Sequence, residues 1–276
     1  MSNPDREFDK THLSIDTAEE RVLIHRDYIA HCNRWSHVIK HLYGKQRYKT
    51  AKILDIGCGK ETPLAKALYS NRMSGAAYCG VDLNKIEMAP MLQKAVDGGK
   101  LDVTLLANRS VTDLRMADLP FRPNVITNFE TFEHMNPSAA VDSLTRCYEW
   151  LSEDGYMFFS TPCWNGSAAA NHINETTYQA MGWILTRIGF VIDDVFGTFA
   201  SITDYKNDIT AWGLDDAFER LREYYDTNML ATLFAPLFPE HSRNALWVLK
   251  KTGVMRCVFD EPTARWSQHD NWEDMR

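Results

Sequence analysis

"AKILDIGCGKETPLAKAL", residues 51–68, is an apolar run followed by Gly57 and Gly59 and then by a helical pattern. A strand that runs into Gly-x-Gly and then a helix brings backbone N–H groups and the positive end of a helix close to a ligand. Glycine also allows a positive φ and leaves no Cβ in the way. Because many strand–helix turns contain two glycines and bind nothing, the stretch alone predicts only a strand–turn–helix unit.

An acid at the end of the next strand strengthens the case for a nucleoside ligand. Asp82 ends the strand-like run "CGVD". A carboxylate there can accept both ribose hydroxyls of a nucleoside, as in dinucleotide folds. The alternative is that Asp82 or Asn84 caps the following helix, and both roles can coexist.

Glu61 stands where a dinucleotide site has its third glycine. That glycine allows close helix–strand packing beside a pyrophosphate, which a carboxylate would repel. The loop therefore disfavours NAD and FAD. A phosphate-free ligand with positive charge, such as S-adenosylmethionine, tolerates both Asp55 and Glu61 nearby.

Beyond this loop, strand-like and helical patterns alternate, which predicts a mainly parallel α/β sheet with helices on both faces. Helical patterns precede the alternation from Thr17 to Tyr43, and helical, aromatic-rich sequence interrupts it before a last strand that could pair antiparallel. The expected parts are an N-terminal arm with helices (1–48), a core (49–203), a helical insert or lid (204–240), a last core strand (241–252) and a C-terminal tail (253–276).

Composition excludes several classes of protein. The chain of 276 residues is 45% hydrophobic and carries a net charge of −7, so no global field favours a polyanion. The six cysteines form no C-x-x-C pair, which argues against a zinc ribbon or a dithiol motif. Neither a signal peptide nor an apolar run of ~18 residues is visible. We therefore expect reduced thiols, a cytoplasmic location and no membrane partner.

Five motifs in order resemble the class I S-adenosylmethionine-dependent methyltransferases over about residues 50–200. The first two are "ILDIGCGKETPLAKAL" and "YCGVDLN". The segment "NVITNFETFEHM" resembles a subgroup with Glu-His after the fourth strand. The segments "LSEDGYMFFSTP" and "NHINETTYQAMGWILTRIGF" resemble the usual turn with its fifth strand and the following His-x-x-Glu helix.

The resemblance implies a Rossmann-like, seven-stranded, mostly parallel sheet and S-adenosyl-L-methionine as cofactor. It also implies the position of the cofactor contacts, with Phe129 and Glu130 bordering the methionine end and Asp118 competing with Asp113 for the adenine side. The implied cofactor-binding residues are Asp55, Gly57, Cys58, Gly59, Asp82, Leu83, Asp113 and Phe129.

The candidate catalytic residues follow the fourth and fifth strands, where open α/β sheets place their sites. His134 could be a general base or could brace the next helix, and Glu130 lies beside it. His172 is the second candidate base, and we expect Glu175 in the first turn of a helix. Glu130, Glu133, His134 and His172 could alternatively bind a divalent metal, although nothing in the sequence fixes that geometry and no metal is expected.

"STPCWNGSAAANH", which follows the fifth strand, contains Cys163 and Trp164. A nucleophilic cysteine needs a lowered pKa, and no basic residue adjoins Cys163, so a packed or solvent-facing thiol is the better interpretation. Trp164 could line a substrate pocket or anchor the loop.

The favoured hypothesis is methyl transfer to an oxygen or nitrogen of a small molecule. The first alternative is a methyltransferase acting on nucleotides or nucleic acids, and the second is a catalytically silent cofactor-binding module. An Asn/Asp-Pro-Pro-aromatic motif is absent after the fourth strand, which argues against N-methylation of bases. The basic residues that could contact a polynucleotide are Arg21, Arg26, Arg34, Lys40, Lys45, Arg47 and Lys49, although a solvated helix face is the default interpretation.

Overall fold

The computed structural model describes residues 26–47, 49–73, 75–200 and 202–269. The N-terminal arm and the beginning of the expected N-terminal helical region lie outside these residues. The strands are β1 Lys52–Ile56, β2 Ala77–Asp82, β3 Asp102–Ala107, β4 Val125–Phe129, β5 Tyr156–Pro162, β6 Val191–Phe199 and β7 Asn244–Lys250. The α-helices are α1 Arg26–Gly44, α2 Pro63–Ser70, α3 Pro90–Asp97, α4 Pro137–Trp150, α5 Tyr178–Ile188, α6 Ile202–Ala211, α7 Asp215–Arg222 and α8 Thr227–Leu233.

The strands form one seven-stranded sheet in the order β3-β2-β1-β4-β5-β7-β6. β1 lies between β2 and β4 and is parallel to both, with Ile53 opposite Tyr78 on one side and Val125 on the other. β2 with β3 and β4 with β5 also pair in parallel. The sheet is mixed and mostly parallel. The expected Rossmann-like α/β fold is thereby confirmed.

Burial explains why β1 lies in the interior of the sheet, with strands on both sides. Its apolar residues Ile53, Leu54 and Ile56 are at most 2% exposed. Strands of parallel sheets that are covered on both faces are near-continuous apolar runs. The glycine loop directly follows β1, so it lies at the edge of the sheet where the parallel strands have their carboxyl ends.

The chain divides into two compact units. One takes the described residues up to Ser36 together with Phe196–Ala245, and the other comprises His37–Val195 and the residues from Leu246 onward. All the candidate catalytic and cofactor-binding residues belong to the second, larger unit. Among the residues that the structure describes, no helix is both long enough and apolar enough to cross a membrane.

The smaller unit has its own core, built largely from the insert. Tyr205 is fully buried and stacks with Phe234 and Phe238 at ring separations of 6.4 and 5.6 Å. These aromatic residues are therefore core, whereas Trp212 is 59% exposed. A lid role for the insert stays a prediction.

Arg34 also belongs to the core of the smaller unit, where it is 1% exposed. Its guanidinium donates to Thr198 Oγ1 at 3.3 Å and to Asn244 Oδ1 at 3.1 Å. Its inclusion among residues of a basic outer face was therefore wrong, because its guanidinium is buried and hydrogen-bonded inside the fold.

Candidate active site

The glycine loop after β1 requires its glycines. Gly57 and Gly59 have φ of +69° and +71°. A Cβ on Gly57 would lie 1.8 Å from Thr131 Cγ2, so the loop and the segment after β4 touch through this missing side chain. The N–H groups of Gly57 and Cys58 donate to the carbonyl of Val81 at 2.9 and 3.2 Å, which ties the loop to β2.

Asp82 organises the loop from the end of β2. Its carboxylate accepts hydrogen bonds from Gly59 N–H at 3.0 Å and from Asn84 N–H at 2.8 Å. The helix-capping alternative for Asp82 and Asn84 is wrong, because α3 begins at Pro90 with Ala89 at its N-cap. Leu83 follows with 66% of its surface exposed, so its side chain is accessible to a ligand.

Glu61 has a surface role in the structure. Its carboxylate lies 2.6 Å from Lys66 Nζ, one turn into α2, and its side chain is 62% exposed. The chain turns into α2 through Thr62, which is fully buried and has φ of +48°. Lys66 compensates the charge that stands in place of the third glycine.

Asp55 lies beneath the loop inside the sheet. Tyr78 Oη donates to Asp55 Oδ2 at 2.6 Å, and Thr127 Oγ1 donates to Oδ1 at 2.7 Å. Burial raises the pKa of Asp55 to about 6, although the two hydrogen bonds act in the opposite direction. Asp55 thus connects β1 to both neighbouring strands, and its contact with the cofactor stays a prediction.

Two further cofactor-site candidates, Cys58 and Phe129, are buried. Cys58 is 3% exposed, and burial raises the pKa of its thiol, which therefore stays protonated. Phe129 is 8% exposed at the end of β4.

Two acids compete for the adenine side of the site. Asp113 is exposed on the 3₁₀-helix Val111–Asp113 after β3. Asp118 accepts from the backbone N–H of Arg115 at 2.8 Å and from its Nε at 3.4 Å. These bonds, the backbone one first, lower the pKa of Asp118. Which of the two acids contacts the adenine stays a prediction.

Glu130 occupies the end of β4 in a strained conformation. Its φ is +55°, a region that residues other than glycine rarely adopt. Ser160 Oγ donates to Glu130 Oε1 at 2.7 Å, and Glu130 N–H donates to the Ser160 carbonyl at 3.1 Å. Thr131 Oγ1, one residue on, donates to Asn128 Oδ1. The strained turn brings the residues after β4 against the glycine loop, and a catalytic role for Glu130 stays a prediction.

Glu133, His134 and His172 meet beside this turn, and we call them the Glu-His-His cluster. Glu133 is 1% exposed and accepts from Thr161 Oγ1 at 3.3 Å. The rings of His134 and His172 meet edge to face with centroids 5.0 Å apart. One ligand atom from each residue falls within 4.8 Å of the others, a spacing that could hold a metal ion. Burial lowers the pKa of His134, which favours its neutral form.

His172 and Glu175 precede α5 instead of beginning it. Thr177 Oγ1 accepts from Ala180 N–H at 3.2 Å and caps α5, whose first residue is Tyr178. The expectation that Glu175 lies in the first helical turn was therefore wrong. Its carboxylate instead accepts a hydrogen bond from His172 Nδ1, with both side chains at most 10% exposed.

The C-terminal tail holds this pair in place. Gln268 Oε1 accepts from Glu175 N–H at 2.7 Å, and Gln268 Nε2 donates to the His172 carbonyl at 3.0 Å. Thr177 N–H donates to the Trp266 carbonyl at 2.8 Å. Sequence reasoning missed these contacts, because no local pattern relates the tail to the segment that contains His172, Glu175 and Thr177, far earlier in the chain.

Cys163 and Trp164 have structural positions. Cys163 is 7% exposed and forms a bridge with Thr176, as expected for a packed thiol. The Arg265 guanidinium lies 4.9 Å from the Trp164 ring centroid. The loop after β5 is thus joined to the tail on both sides of His172.

Comparisons with known proteins agree with this geometry. The methyltransferase domain family matches residues 25–195, which is more than half of the chain. A curated relative from Azotobacter vinelandii (strain DJ / ATCC BAA-1303), ubiquinone biosynthesis O-methyltransferase, is 29% identical over 110 residues, which cover 40% of this chain and 44% of that protein. The match therefore spans less than half the length of the curated relative.

Two solved structures have a similar fold. Burkholderia thailandensis 1,6-didemethyltoxoflavin-N1-methyltransferase, with bound 1,6-didemethyltoxoflavin and S-adenosylhomocysteine, aligns with a TM-score of 0.50 at 14% identity and covers 87% of this chain and 85% of that one. Magnesium protoporphyrin IX methyltransferase from Synechocystis PCC 6803, with bound SAH, gives 0.47 at 13% identity over 62% of this chain and 78% of that one.

The Rossmann-like sheet, the glycine loop and the acid after β2 define the class I methyltransferase fold. The chain belongs to the methyltransferase domain family.

Proposed function

We propose that this protein is an S-adenosylmethionine-dependent methyltransferase that methylates a hydroxyl oxygen of a small molecule. The observation that carries the proposal is the Glu-His-His cluster at the carboxyl edge of β4, next to the glycine loop. Thr131 joins the two, since its methyl group occupies the space that a side chain on Gly57 would need. A hydroxyl must lose its proton to become a good nucleophile, and imidazole and carboxylate groups are suited to assist that loss.

The cofactor contacts in this proposal follow the loop. Asp82 binds the ribose, and Gly57 and Gly59 let the backbone approach the methionine end. Leu83 covers one face of the adenine with its exposed side chain, and Asp113 accepts a hydrogen bond from the adenine side. Asp55, Cys58 and Phe129 complete the proposed cofactor-binding set.

His134 and His172 act on the acceptor through their Nε2 atoms, while Glu130 borders the methyl donor. In the transfer step the acceptor oxygen attacks the methyl carbon, and the C–S bond breaks with its electron pair going to sulfur. The products are the methyl ether, S-adenosylhomocysteine and the proton released by the hydroxyl. Holding the oxygen in line with the C–S bond supplies much of the rate acceleration.

The names of the relatives are compatible with an oxygen acceptor but do not decide between oxygen and nitrogen as the acceptor atom. The curated relative is named an O-methyltransferase, whereas the Burkholderia enzyme is named an N1-methyltransferase, so nitrogen remains the second candidate atom. A polynucleotide acceptor is less favoured because the net charge is −7 and Arg34 is buried.

The test uses methyl-labelled S-adenosylmethionine and a fractionated cell extract. We expect label in an acid-resistant, base-stable compound in the small-molecule fraction, as a methyl ether would be. Label in the nucleic-acid fraction, with strong salt dependence of binding, would favour the alternative acceptor. If titration with S-adenosylmethionine gave no heat and no thermal shift, the absence of cofactor binding would contradict the enzymatic proposal as a whole.

A further inference from the structure

The hydrogen bonds of the two histidines fix which ring nitrogen faces the site. His172 Nδ1 contacts the Glu175 carboxylate, and His134 Nδ1 lies 3.1 Å from the carbonyl oxygen of Asn171. Carbonyl and carboxylate oxygens can only accept, so each Nδ1 carries the proton. In this tautomer of imidazole the lone pair is on Nε2.

His134 Nε2 lies on the side of the Glu133 carboxylate, and His172 contributes a ring nitrogen to the same Glu-His-His cluster. Within the described ranges, no hydrogen bond joins either Nε2 atom to another residue. His134 Nε2 lies 3.8 Å from Glu133 Oε1, which is too far for a hydrogen bond between them. A cation between the three residues could be bound by both nitrogens and by this oxygen after small movements of the side chains.

Burial of Glu133 adds a separate reason for a cation. Its side chain is 1% exposed, and a buried carboxylate is costly unless positive charge or hydrogen bonds compensate it. Thr161 supplies one hydrogen bond at 3.3 Å. A cation bound to Glu133 would add to this stabilisation.

We propose that Glu133, His134 and His172 bind a divalent first-row cation, such as Mn²⁺ or Zn²⁺, which holds the acceptor hydroxyl. Imidazole nitrogens with one carboxylate suit these metals, and three protein ligands leave positions open for substrate. Glu175 and the Asn171 carbonyl are the outer partners that orient the two rings. This inference rests on the proposed function, and it makes the histidines metal ligands instead of bases.

The cation changes how the hydroxyl loses its proton. A metal-bound hydroxyl ionises near neutral pH, so the proton leaves to solvent and the alkoxide stays on the metal. The alkoxide oxygen then attacks the methyl carbon, and the electron pair of the C–S bond goes to sulfur. An acceptor with a second oxygen next to the hydroxyl would fill two open positions, which favours vicinal diols, catechols and α-hydroxy ketones.

Direct binding of Mn²⁺ tests the site without a substrate. Metal-free protein is titrated with Mn²⁺ and free Mn²⁺ is followed by electron paramagnetic resonance. We expect one saturable site that Zn²⁺ displaces. His134→Ala and His172→Ala should each weaken Mn²⁺ binding at least about tenfold, and Glu175→Gln should weaken it by about tenfold or more.

His241→Ala is the matched control, because His241 Nδ1 also contacts a carboxylate, that of Asp208 at 2.6 Å, in the other unit. It should leave Mn²⁺ binding unchanged. If His172→Ala fails to fold by circular dichroism, His134→Ala still decides, since the His134 side chain is 39% exposed. No saturable binding by the wild type, or equal binding by a folded His134→Ala variant, would overturn the proposal.

A second measurement separates this inference from the proposed function. Methyl transfer from labelled cofactor to the small-molecule fraction is compared in metal-free protein and after Mn²⁺ or Zn²⁺ is restored. We expect at least about tenfold activation by the metal. Full activity without metal would overturn the metal proposal and leave the proposed function in place. Metal binding without methyl transfer to a hydroxyl would overturn the proposed function and leave the metal site in place.

Discussion

At the scale of single residues, the two acids of the glycine loop have different surroundings and should differ in cofactor binding. Asp82 accepts two backbone hydrogen bonds at the loop, whereas Glu61 is paired with Lys66 on the surface. Asp82→Ala should weaken S-adenosylmethionine binding at least about tenfold, since hydrogen bonds to charged groups contribute about 1.5–3 kcal/mol. Glu61→Gly should stay within a few-fold of wild type. Isothermal titration calorimetry measures both, and a large loss in Glu61→Gly would identify Glu61 as a direct ligand.

Asp55 should make the protein more stable as the pH falls. Its pKa in the folded state is about 6, above the ordinary value of about 4 in the unfolded chain. The folded state therefore takes up a proton that the unfolded state does not, between about pH 7 and pH 4. The resulting increase in the free energy of unfolding is about 3 kcal/mol once Asp55 is fully protonated.

The Asp55→Asn variant isolates this contribution. Asparagine has nearly the same shape, does not ionise in this range, and can still accept from Tyr78 and exchange a hydrogen bond with Thr127. In urea unfolding between pH 7 and pH 4, acidification should therefore lower the free energy of unfolding of Asp55→Asn relative to that of the wild type. An unchanged pH dependence would mean that Asp55 titrates near its ordinary pKa.

At the scale of elements, the turn from β1 to α2 depends on the space that Gly57 leaves for Thr131. Gly99 is a matched control, because its φ of +62° is similar but a Cβ there would meet nothing within 4 Å. Gly99→Ala should cost about 1 kcal/mol of stability from the left-handed backbone alone. Gly57→Ala should cost about 1–3 kcal/mol more, from overpacking against Thr131. Equal losses in urea unfolding would show that Thr131 moves freely aside.

The tail should act on catalysis through the His172–Glu175 pair. Gln268 makes hydrogen bonds to the backbone of both residues. Gln268→Ala should lower kcat about tenfold or more, because small displacements of catalytic groups are costly. S-adenosylmethionine affinity should not change. Gln93→Ala, which removes only an exposed contact to Asp97, is the control. A Gln268→Ala variant with wild-type kcat would reduce the tail to a structural role.

Local sequence patterns predicted the elements well and the contacts between distant segments poorly. β1 and β2 follow from buried apolar runs, and their carboxyl ends meet because the strands are parallel. The start of α5 was placed too early, because Thr177 caps the helix while the preceding residues bind the tail. Likewise, Glu133, His134 and His172 were recognised as candidates, but only the fold brings the three side chains within reach of one ion.

At the scale of the whole molecule, stability depends on pH through groups that act in opposite directions. His41 is packed against Tyr156 and Phe158 with ring separations of 4.1 and 5.1 Å. Burial lowers the pKa of His41 to about 4, helped by the cationic neighbours Lys45 and Arg47 and by His37, while Asp193 opposes the effect. As the pH falls from about 6.5 to about 4, the unfolded chain gains this proton and the folded one does not. Acidification therefore destabilises the fold through His41 and stabilises it through Asp55.

Substituting either His41 or Asp55 should reveal how the other group changes stability with pH. We expect the wild type to show a shallow pH dependence of the free energy of unfolding between about pH 4 and pH 6.5. His41→Phe keeps an aromatic ring on Tyr156 and removes the titration, so this variant should gain stability on acidification more steeply than the wild type. Asp55→Asn should lose stability on acidification instead. Urea unfolding of the single variants and of the double variant measures both slopes. The free energy of unfolding should change with pH in opposite directions in the two single variants, because only Asp55 titrates in His41→Phe and only His41 titrates in Asp55→Asn. A change in the same direction in both variants would contradict the prediction.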